Sequence, residues 1–334
     1  MPRSIQLDAT TTIPLPGFGA MGMSAFYGPT NDEQSKATLR KAIEIGCTLW
    51  DTATMYGFGH NEKIIGEVLR EGDNRKKVFL VDKYGNRFNK ETGEWWVDGS
   101  PASTRESFEQ SVKDLGGIYP DAYLLHRIDK NTPIEESVKA MEALRQEGKT
   151  KYIGLSECSV QTLRRAAAVA KIDFIEMEYS PWSLDIETNG ILDACKELDV
   201  KILAYSPLGR GFLTGRFKSL DDFKQEGDAR AAAYFPRFGA DVFEQNLRCV
   251  EALEKIADRK GCKTSQLVLA WLMAQSPLII PIPGTKSEKY LLENFASADV
   301  DLSPEEVAEI RAVVEANKPE GNRYSAVAAA TLDE

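Results

Sequence analysis

Four titratable side chains in this sequence occupy matching positions relative to apolar runs. Asp51 ends the run TLWD, Lys83 ends VFLVDK and His126 ends YLLH. Tyr56 follows Asp51 closely, in the segment TATMYGFG. If the runs are neighbouring parallel strands, their carboxyl ends lie on one side of the sheet and bring these side chains together. The pattern therefore predicts one catalytic site built from these four residues.

The chemistry that these residue types support is proton donation to an oxygen. A tyrosine, with an ordinary pKa of about 10, is a weak acid at neutral pH unless its phenolate is stabilised. The Lys83 ammonium would lower the pKa of a nearby phenol, and Asp51 would hold that ammonium in place and charged. His126 would hydrogen-bond a substrate oxygen and orient the carbonyl. A reductant is missing from this set, so carbonyl reduction would require a cofactor.

Each of the four residues also has an ordinary structural explanation. Asp51 alone could cap a loop, Tyr56 could be a rim aromatic, and Lys83 could extend along the surface. His126 could be a hydrogen-bonded core histidine. The matched positions of all four favour one functional interpretation over four separate structural ones.

Apolar runs of strand length alternate with amphipathic stretches of helix length along most of the chain. Strands are predicted at 17–23, 45–51, 77–83, 121–126, 151–156, 172–178, 200–205 and 278–282. Helices are predicted at 32–45, 60–71, 102–115, 134–147, 159–170, 187–198, 244–259, 264–275 and 287–296, with a last helix capped by Ser303. Eight strands that alternate with helices indicate a (β/α)8 barrel.

The main structural alternative is a doubly wound sheet. That fold usually carries a GxGxxG turn after its first strand, and none occurs here. The prediction is therefore an α/β protein with a single (β/α)8 TIM barrel domain over residues 1–334 and a C-terminal helical tail. Two long segments, 86–100 and 209–243, follow strands. We expect them to form the sides of the barrel mouth, where the active sites of such barrels lie. Trp95, in the first segment, and Trp182, after a strand, are the predicted substrate-binding residues.

Composition and charge narrow the class of protein. The formal net charge of −10 argues against nucleic acid or an anionic membrane as the main partner. The sequence contains only His60 and His126 as histidines, so a histidine-based metal site is not expected. Five scattered cysteines without a CxxC pair are typical of free thiols in a reducing compartment. No apolar stretch has the length of a signal peptide or a membrane helix, so a cytoplasmic location is expected.

Longer motifs around these residues resemble those of the aldo-keto reductases. The segment WDTATMYGFGHNEKIIGEVL resembles that family's signature, and Lys83 and His126 match its lysine and histidine. Similar segments also occur at 152–157 (YIGLSE), 178–180 (EYS), 205–215 (YSPLGRGFLTG), 236–238 (PRF) and 280–294 (IPIPGTKSEKYLLEN). EYSPWSLDIETNGILDAC and GNRY look most like the fungal pyridoxal reductases. The resemblance implies NADPH-dependent reduction of an aldehyde or ketone, with Tyr56 as general acid and pyridoxal as a candidate substrate.

The resemblance further implies that a nicotinamide dinucleotide lies across the barrel mouth, with Tyr205 stacked on the nicotinamide. The implied cofactor-binding residues are Ser156, Glu157, Glu176, Tyr205, Ser206, Leu208, Gly209, Arg210, Gly215, Gly284, Lys286, Ser287, Glu293 and Asn294. Many relatives bind the 2′-phosphate of NADPH with an arginine where this chain has Tyr290. Because Lys286 and Lys289 are close in sequence, NADPH is still favoured over NADH.

Two other functions remain open from the sequence. A non-catalytic NADPH-binding regulatory subunit, resembling the potassium-channel β subunits of the same family, would bind the cofactor without turnover. A Schiff-base aldolase would use Lys83 as a nucleophile but would leave the cofactor-type segments unexplained. For the reductase, the expected partner is a small-molecule carbonyl substrate, and a monomer is favoured.

Overall fold

A computed structural model describes residues 3–89, 91–223, 227–231 and 234–333 of the chain. The strands are β1 Ser4–Gln6, β2 Thr12–Pro14, β3 Phe18–Gly19, β4 Leu49–Asp51, β5 Phe79–Tyr84, β6 Asn86–Phe88, β7 Trp95–Val97, β8 Ala122–Leu125, β9 Tyr152–Ser156, β10 Phe174–Glu178, β11 Lys201–Tyr205 and β12 Ile279–Pro281. The helices are α1 Asp32–Ile45, α2 His60–Leu69, α3 Asn74–Lys77, α4 Pro101–Asp114, α5 Ile134–Gln146, α6 Val160–Ala167, α7 Ile191–Leu198, α8 Phe243–Lys260, α9 Thr264–Gln275, α10 Glu288–Phe295, α11 Pro304–Ala316 and α12 Ala326–Ala329.

Eight parallel strands form the barrel wall, in the order β3, β4, β5, β8, β9, β10, β11, β12. The two end strands close the wall, because Gly19 bridges Gly284 and the Gly17 N–H donates to the Pro281 carbonyl oxygen at 2.9 Å. A Cβ at Gly19 would lie 2.9 Å from the Ile282 carbonyl oxygen, so this seam favours glycine. The predicted (β/α)8 TIM barrel is confirmed.

Several helices around the barrel begin at capping residues that the sequence supplies. The Asn31 side chain accepts a hydrogen bond at the start of α1, and Ser100 does the same for α4, whose first residue is Pro101. Ser303 and Glu306 form a capping box at the start of α11, which confirms the predicted C-terminal helix. Within the described ranges, none of the helices combines the length and the apolar character needed to cross a bilayer.

Several predicted elements are shorter in the structure than the sequence pattern suggests; the strand predicted at 45–51, for example, covers only Leu49–Asp51. Segment 17–23 contributes only Phe18–Gly19 to the sheet, because the chain turns into a 3-10 helix immediately after the barrel seam. The helix predicted at 187–198 begins at Ile191, because Gly190 adopts a φ of 87°, outside the helical region.

The long segments at the barrel mouth carry local structure. The insertion at 86–100 contains the antiparallel hairpin β6–β7, which leaves Trp95 and Trp96 about half exposed. The segment 209–243 begins with the 3-10 helix Gly209–Thr214 and leads into α8; its residues 224–226 and 232–233 lie outside the described residues.

A second hairpin, β1–β2, lies at the opposite end of the barrel and was not predicted. Its Ile5 and Ile13 are buried in a cluster with Leu49, Phe79 and Phe174, the first residues of β4, β5 and β10. This apolar cluster closes the amino-terminal end of the strands, so the opposite, carboxyl-terminal end is the one left for a site.

The five cysteines are free, in agreement with the scattered pattern in the sequence. Cys47, Cys158, Cys195 and Cys249 are buried, and Cys262 is half-buried. Burial raises the pKa of every one of these thiols, to about 12 for Cys195 and for Cys249.

Candidate active site

The structure brings Asp51, Tyr56, Lys83 and His126 together at the carboxyl end of the barrel. Asp51 ends β4, Lys83 lies near the end of β5, and His126 directly follows β8. The Lys83 Nζ atom lies 2.5 Å from Asp51 Oδ2 and 5.2 Å from the centre of the Tyr56 ring. The rings of Tyr56 and His126 are 5.8 Å apart and nearly perpendicular. Residues 75 positions apart in the chain therefore surround one point in space.

The Lys83 ammonium is fully buried between two carboxylates. Its Nζ atom lies 3.0 Å from Glu176 Oε2, in addition to its contact with Asp51. Burial alone would lower the pKa of Lys83, but the two carboxylates outweigh that effect and raise it above its ordinary value. Burial and the neighbouring Glu176 raise the pKa of Asp51, although Lys83 opposes this shift. The ammonium therefore stays charged at neutral pH.

Tyr56 and His126 are both buried and both uncharged at neutral pH. Burial raises the pKa of the Tyr56 phenol, and the Lys83 ammonium opposes that rise. Burial, followed by the charges of Arg127 and Lys83, holds the pKa of His126 well below its ordinary range. The site thus presents a protonated phenol beside a neutral imidazole, which is the arrangement that proton donation to a neutral carbonyl requires.

The loop that carries Tyr56 is held by a buried asparagine that sequence reasoning did not identify. Asn61 Nδ2 donates to the Ala20 carbonyl oxygen at 2.9 Å, and Thr52 Oγ1 donates to Asn61 Oδ1 at 2.7 Å. The Asn61 backbone N–H donates to the Tyr56 carbonyl oxygen at 3.2 Å. Asn61 therefore ties the Tyr56 loop to β4 and to the segment after β3. The sequence signal that identifies Asn61 is its polar side chain at a position on the buried face of α2.

A cavity of about 920 Å³ opens beside these residues, at the upper end of the range for ligand cavities. Asp51, Tyr56 and His126 line it. The predicted cofactor-binding residues that line it are Glu176, Tyr205, Ser206, Leu208, Arg210, Gly284, Lys286, Ser287, Glu293 and Asn294. The structure does not bring Ser156, Glu157, Gly209 or Gly215 to its lining.

Glu157 belongs to a buried network that orients Tyr205. Its carboxylate accepts a hydrogen bond from the Tyr205 hydroxyl at 2.8 Å and forms an ion pair with Arg323 at 3.0 Å. The Tyr205 and Tyr324 hydroxyls lie 2.9 Å apart. The C-terminal segment GNRY therefore reaches the cavity wall and fixes the tyrosine that the family resemblance assigns to the nicotinamide. Only the tertiary fold shows this contact.

The two predicted substrate tryptophans occupy different environments. Trp95 lies on the β6–β7 hairpin, lines the cavity and is 50% exposed. Trp182 is only 4% exposed, packs against Phe212 at a ring distance of 4.3 Å, and lies outside the cavity lining. Trp95 is thus available to a ligand, whereas Trp182 is part of the aromatic core.

The lining of the cavity fits an anionic dinucleotide. Arg210, Arg216, Arg230 and Lys286 contribute cationic side chains to it, and cations and phosphate oxygens form strong charge-assisted hydrogen bonds. The Arg216 guanidinium lies 4.0 Å from the centre of the Tyr290 ring. A positive charge therefore reaches Tyr290 from the segment after β11, although residue 290 itself is not an arginine.

The Aldo/keto reductase family model matches residues 17–315 of the chain. The chain belongs to the aldo/keto reductase family. Among curated family members, aldo-keto reductase yakc [NADP(+)] of Schizosaccharomyces pombe is 46% identical over 315 residues, which cover 94% of this chain and 92% of that protein. An aldo-keto reductase of Gibberella moniliformis is 42% identical, with 95% of each chain covered.

Solved structures of other proteins share this architecture. The glycerol dehydrogenase AKR11B4 of Gluconobacter oxydans superimposes with a TM-score of 0.83 and 26% identity, over 96% of this chain and 97% of that one. An aldo/keto reductase of Klebsiella pneumoniae in complex with NADP and acetate gives a TM-score of 0.71 and 26% identity, over 97% and 99% of the two chains. Membership of the family makes this chain an oxidoreductase.

Proposed function

We propose that this aldo/keto reductase reduces an aldehyde or ketone to an alcohol with NADPH, and that Tyr56 donates the proton. The observation that carries the proposal is the buried Tyr56 phenol beside the Lys83 ammonium, at the wall of a cavity with cationic lining. The NADP(+) in the name of the Schizosaccharomyces pombe relative and the NADP in the Klebsiella pneumoniae complex support the choice of cofactor.

Four residues of the chain donate the proton, orient the carbonyl group and stabilise the charge that develops. When bound, the nicotinamide supplies a hydride to the carbonyl carbon. The Tyr56 hydroxyl gives its proton to the carbonyl oxygen, and the Lys83 ammonium stabilises the phenolate that remains. The neutral His126 imidazole donates a hydrogen bond to the same oxygen and orients the carbonyl. Asp51 keeps Lys83 charged and in place.

The cationic residues of the cavity would hold the phosphates of NADPH. Arg210 would contact the pyrophosphate. Lys286 would lie at the adenosine end, where Arg216, placed over the Tyr290 ring, would supply charge for the 2′-phosphate. In the structure Arg210 already pairs with Glu178 at 2.9 Å, so that guanidinium would be shared between the carboxylate and the cofactor. These contacts favour NADPH over NADH.

Within this reductase activity, we infer that pyridoxal is a substrate. The support is the similarity of the segments at 178–195 and 321–324 to the fungal pyridoxal reductases, together with the contacts that Arg323 and Tyr324 make beside Tyr205. The Trp95 side chain offers an aromatic surface on the cavity wall for a planar ring.

We further propose that the protein acts as a cytoplasmic monomer with one barrel domain. Its free, buried thiols are compatible with a reducing compartment. All four members of the proposed catalytic group come from one chain, so the site needs no residue from a second copy.

The decisive experiment is the Tyr56→Phe variant. We expect it to lower aldehyde-dependent oxidation of NADPH by roughly 100- to 10,000-fold, because the phenylalanine ring cannot donate a proton. NADPH binding, measured by quenching of protein fluorescence, should be retained. Tyr119→Phe, which removes a hydroxyl from an exposed tyrosine, is the matched control. Wild-type turnover by Tyr56→Phe would remove Tyr56 from its proposed role.

The same measurements separate the reductase from the other two functions. A regulatory subunit would bind NADPH without turnover of any aldehyde in a broad panel. An aldolase would require Lys83 as a neutral amine, but Lys83 is fully buried and two carboxylates raise its pKa. Borohydride trapping of a carbonyl compound on Lys83 is therefore not expected.

A further inference from the structure

Arg127 places a guanidinium on the cavity wall immediately after His126. Its Nη1 atom donates to the His126 carbonyl oxygen at 2.8 Å and reaches Ser156 Oγ at 3.4 Å. Across the described residues, neither the Nε atom nor the Nη2 atom has a hydrogen-bond acceptor, and no carboxylate forms an ion pair with Arg127. The proposed reductase mechanism does not use this charge.

Three other half-buried arginines near the cavity each have a carboxylate partner. These pairs are Arg210 with Glu178 at 2.9 Å, Arg323 with Glu157 at 3.0 Å, and Arg230 with Asp228 at 2.5 Å. Glu157 and Glu176 act on the Arg127 charge electrostatically, but neither forms an ion pair with it, because Glu157 pairs with Arg323 and Glu176 pairs with Lys83. An anionic ligand in direct contact would compensate the half-buried guanidinium more fully. The contrast with the paired arginines therefore indicates that Arg127 is available for a direct ion pair with a ligand.

Neighbouring residues place Arg127 at the substrate end of the cavity. The segment 128–131, which follows Arg127, and the tryptophans of the β6–β7 hairpin line the same cavity. The Gly99 N–H donates to Asp129 Oδ2 at 3.0 Å and so connects the two segments. Asp129 also accepts hydrogen bonds from Asn131 and Thr132. Its carboxylate therefore binds groups of its own loop and does not pair with Arg127.

We propose that Arg127 binds an anionic oxygen of the substrate, a carboxylate or a phenolate, next to the carbonyl group that Tyr56 protonates. The inference rests on the proposed reductase function and specifies its substrate class. The free edge of the guanidinium, with its Nε and Nη2 donors, suits two parallel hydrogen bonds to a carboxylate, or a charge-assisted hydrogen bond to the single oxygen of a phenolate. Because His126 and Arg127 are adjacent, one small molecule can contact both.

Equilibrium binding tests this anion subsite without any turnover. Benzoate and the neutral benzamide are titrated by calorimetry into protein saturated with NADP+. We expect wild-type protein to bind benzoate roughly 10- to 100-fold more tightly than benzamide, and Arg127→Met to lose that preference. Arg127→Lys keeps the positive charge but cannot donate two parallel hydrogen bonds, so we expect it to retain part of the preference for benzoate. Equal binding of the two probes by wild-type protein would overturn the proposal.

Kinetics then identify the source of the anionic oxygen. For the carboxylate, kcat/KM for formylbenzoate is divided by kcat/KM for its methyl ester. For the phenolate, pyridoxal is compared with its phenol O-methyl ether. Arg127→Met should lower at least one of these two ratios by roughly 10-fold or more. A fall in the first ratio identifies a carboxylate as the group that Arg127 binds, and a fall in the second identifies a phenolate. Lys130→Met, which removes another cation from the cavity lining, should change the same ratio by less than roughly threefold.

The outcomes for Arg127 and for the reductase can be told apart. If Arg127→Met lowers kcat/KM equally for charged and neutral substrates and binds NADP+ more weakly, Arg127 holds the cofactor and the substrate assignment is wrong. If wild-type protein prefers benzoate, Arg127→Met loses that preference and the wild-type protein reduces no aldehyde, the anion subsite stands and the reductase proposal fails. If Arg127→Met does not fold, Arg127→Gln takes its place, because Lys130 and the positively charged nicotinamide of NADP+ also attract benzoate to the wild-type cavity.

Discussion

Residue environments, more than residue types, determine what the proposed catalytic group can do. The strand-end pattern identified Asp51, Tyr56, Lys83 and His126, because parallel strands in a barrel bring their carboxyl ends together. The contact between Lys83 and Glu176 could not be predicted from the sequence, because it depends on how side chains meet across the barrel interior. The family resemblance had assigned Glu176 to the cofactor; the structure also pairs it with Lys83.

The pH dependence of reduction should follow from the two uncharged groups. The raised pKa of Tyr56 keeps the phenol protonated well into the alkaline range, and the lowered pKa of His126 keeps the imidazole neutral into the acid range. We therefore expect kcat for aldehyde reduction to stay flat from about pH 6 to about pH 9. Steady-state rates at saturating NADPH and aldehyde test this. An inflection near the ordinary pKa of histidine that disappears in His126→Asn would contradict it.

Among the secondary-structure elements, the β6–β7 hairpin has the clearest effect on the cavity. Its sequence is polar and rich in turn residues, so it was predicted only as a wall-forming insertion. The structure shows an aromatic cluster, in which Phe88 packs on Trp95 at a ring distance of 4.6 Å and on Phe58 at 5.1 Å. Three-residue strands are too short for an alternating pattern to reveal them, which explains why the hairpin was not predicted.

Replacing Trp95 should affect aromatic substrates selectively. Trp95→Ala removes a cavity-lining ring, so we expect KM for aromatic aldehydes to rise roughly 3- to 10-fold, with kcat and the KM for small aliphatic aldehydes little changed. Phe58→Ala is the matched comparison, since Phe58 contacts the hairpin aromatics but does not line the cavity. An equal rise in KM in both variants would show that hairpin placement, not contact with Trp95, sets the preference.

At the scale of the whole molecule, a buried carboxyl pair behind the barrel wall affects stability. Glu62 on α2 and Asp82 on β5 are 1% and 0% exposed, and Glu62 Oε1 and Asp82 Oδ2 have no hydrogen-bond partner among the described residues. Burial, with Asp82 nearby, raises the pKa of Glu62 to about 9; burial raises the pKa of Asp82 to about 6. The folded protein therefore holds a proton on Glu62 at neutral pH.

This pair should make the folded protein less stable as the pH rises. Between the ordinary pKa of Glu62, 4.5, and its folded value of about 9, the folded state binds more protons than the unfolded state. The free energy of unfolding should then fall from about pH 6 to about pH 8, by at most about 1.4 kcal/mol per pH unit from this group. Glu62→Gln should flatten this slope in urea unfolding. An unchanged slope would contradict the assignment.

The barrel as a whole was predictable because its strands are continuous apolar runs separated by amphipathic helices. Two features were not. The seam at Gly19 and Gly284 depends on a close backbone contact that no periodicity reports. The β1–β2 hairpin consists of three-residue strands whose few apolar positions, such as Ile5 and Ile13, become meaningful only against the bottom of the barrel.

Under the proposed reduction of aldehydes, the burial of the cysteines has a chemical consequence. Unsaturated aldehydes are electrophiles that add to thiolates, and an exposed thiolate would be alkylated during turnover. Four of the five thiols are buried here, and burial raises the pKa of all five, so the thiolate population is small at neutral pH. The fold therefore protects its own sulfur atoms from the reactive molecules that reach its cavity.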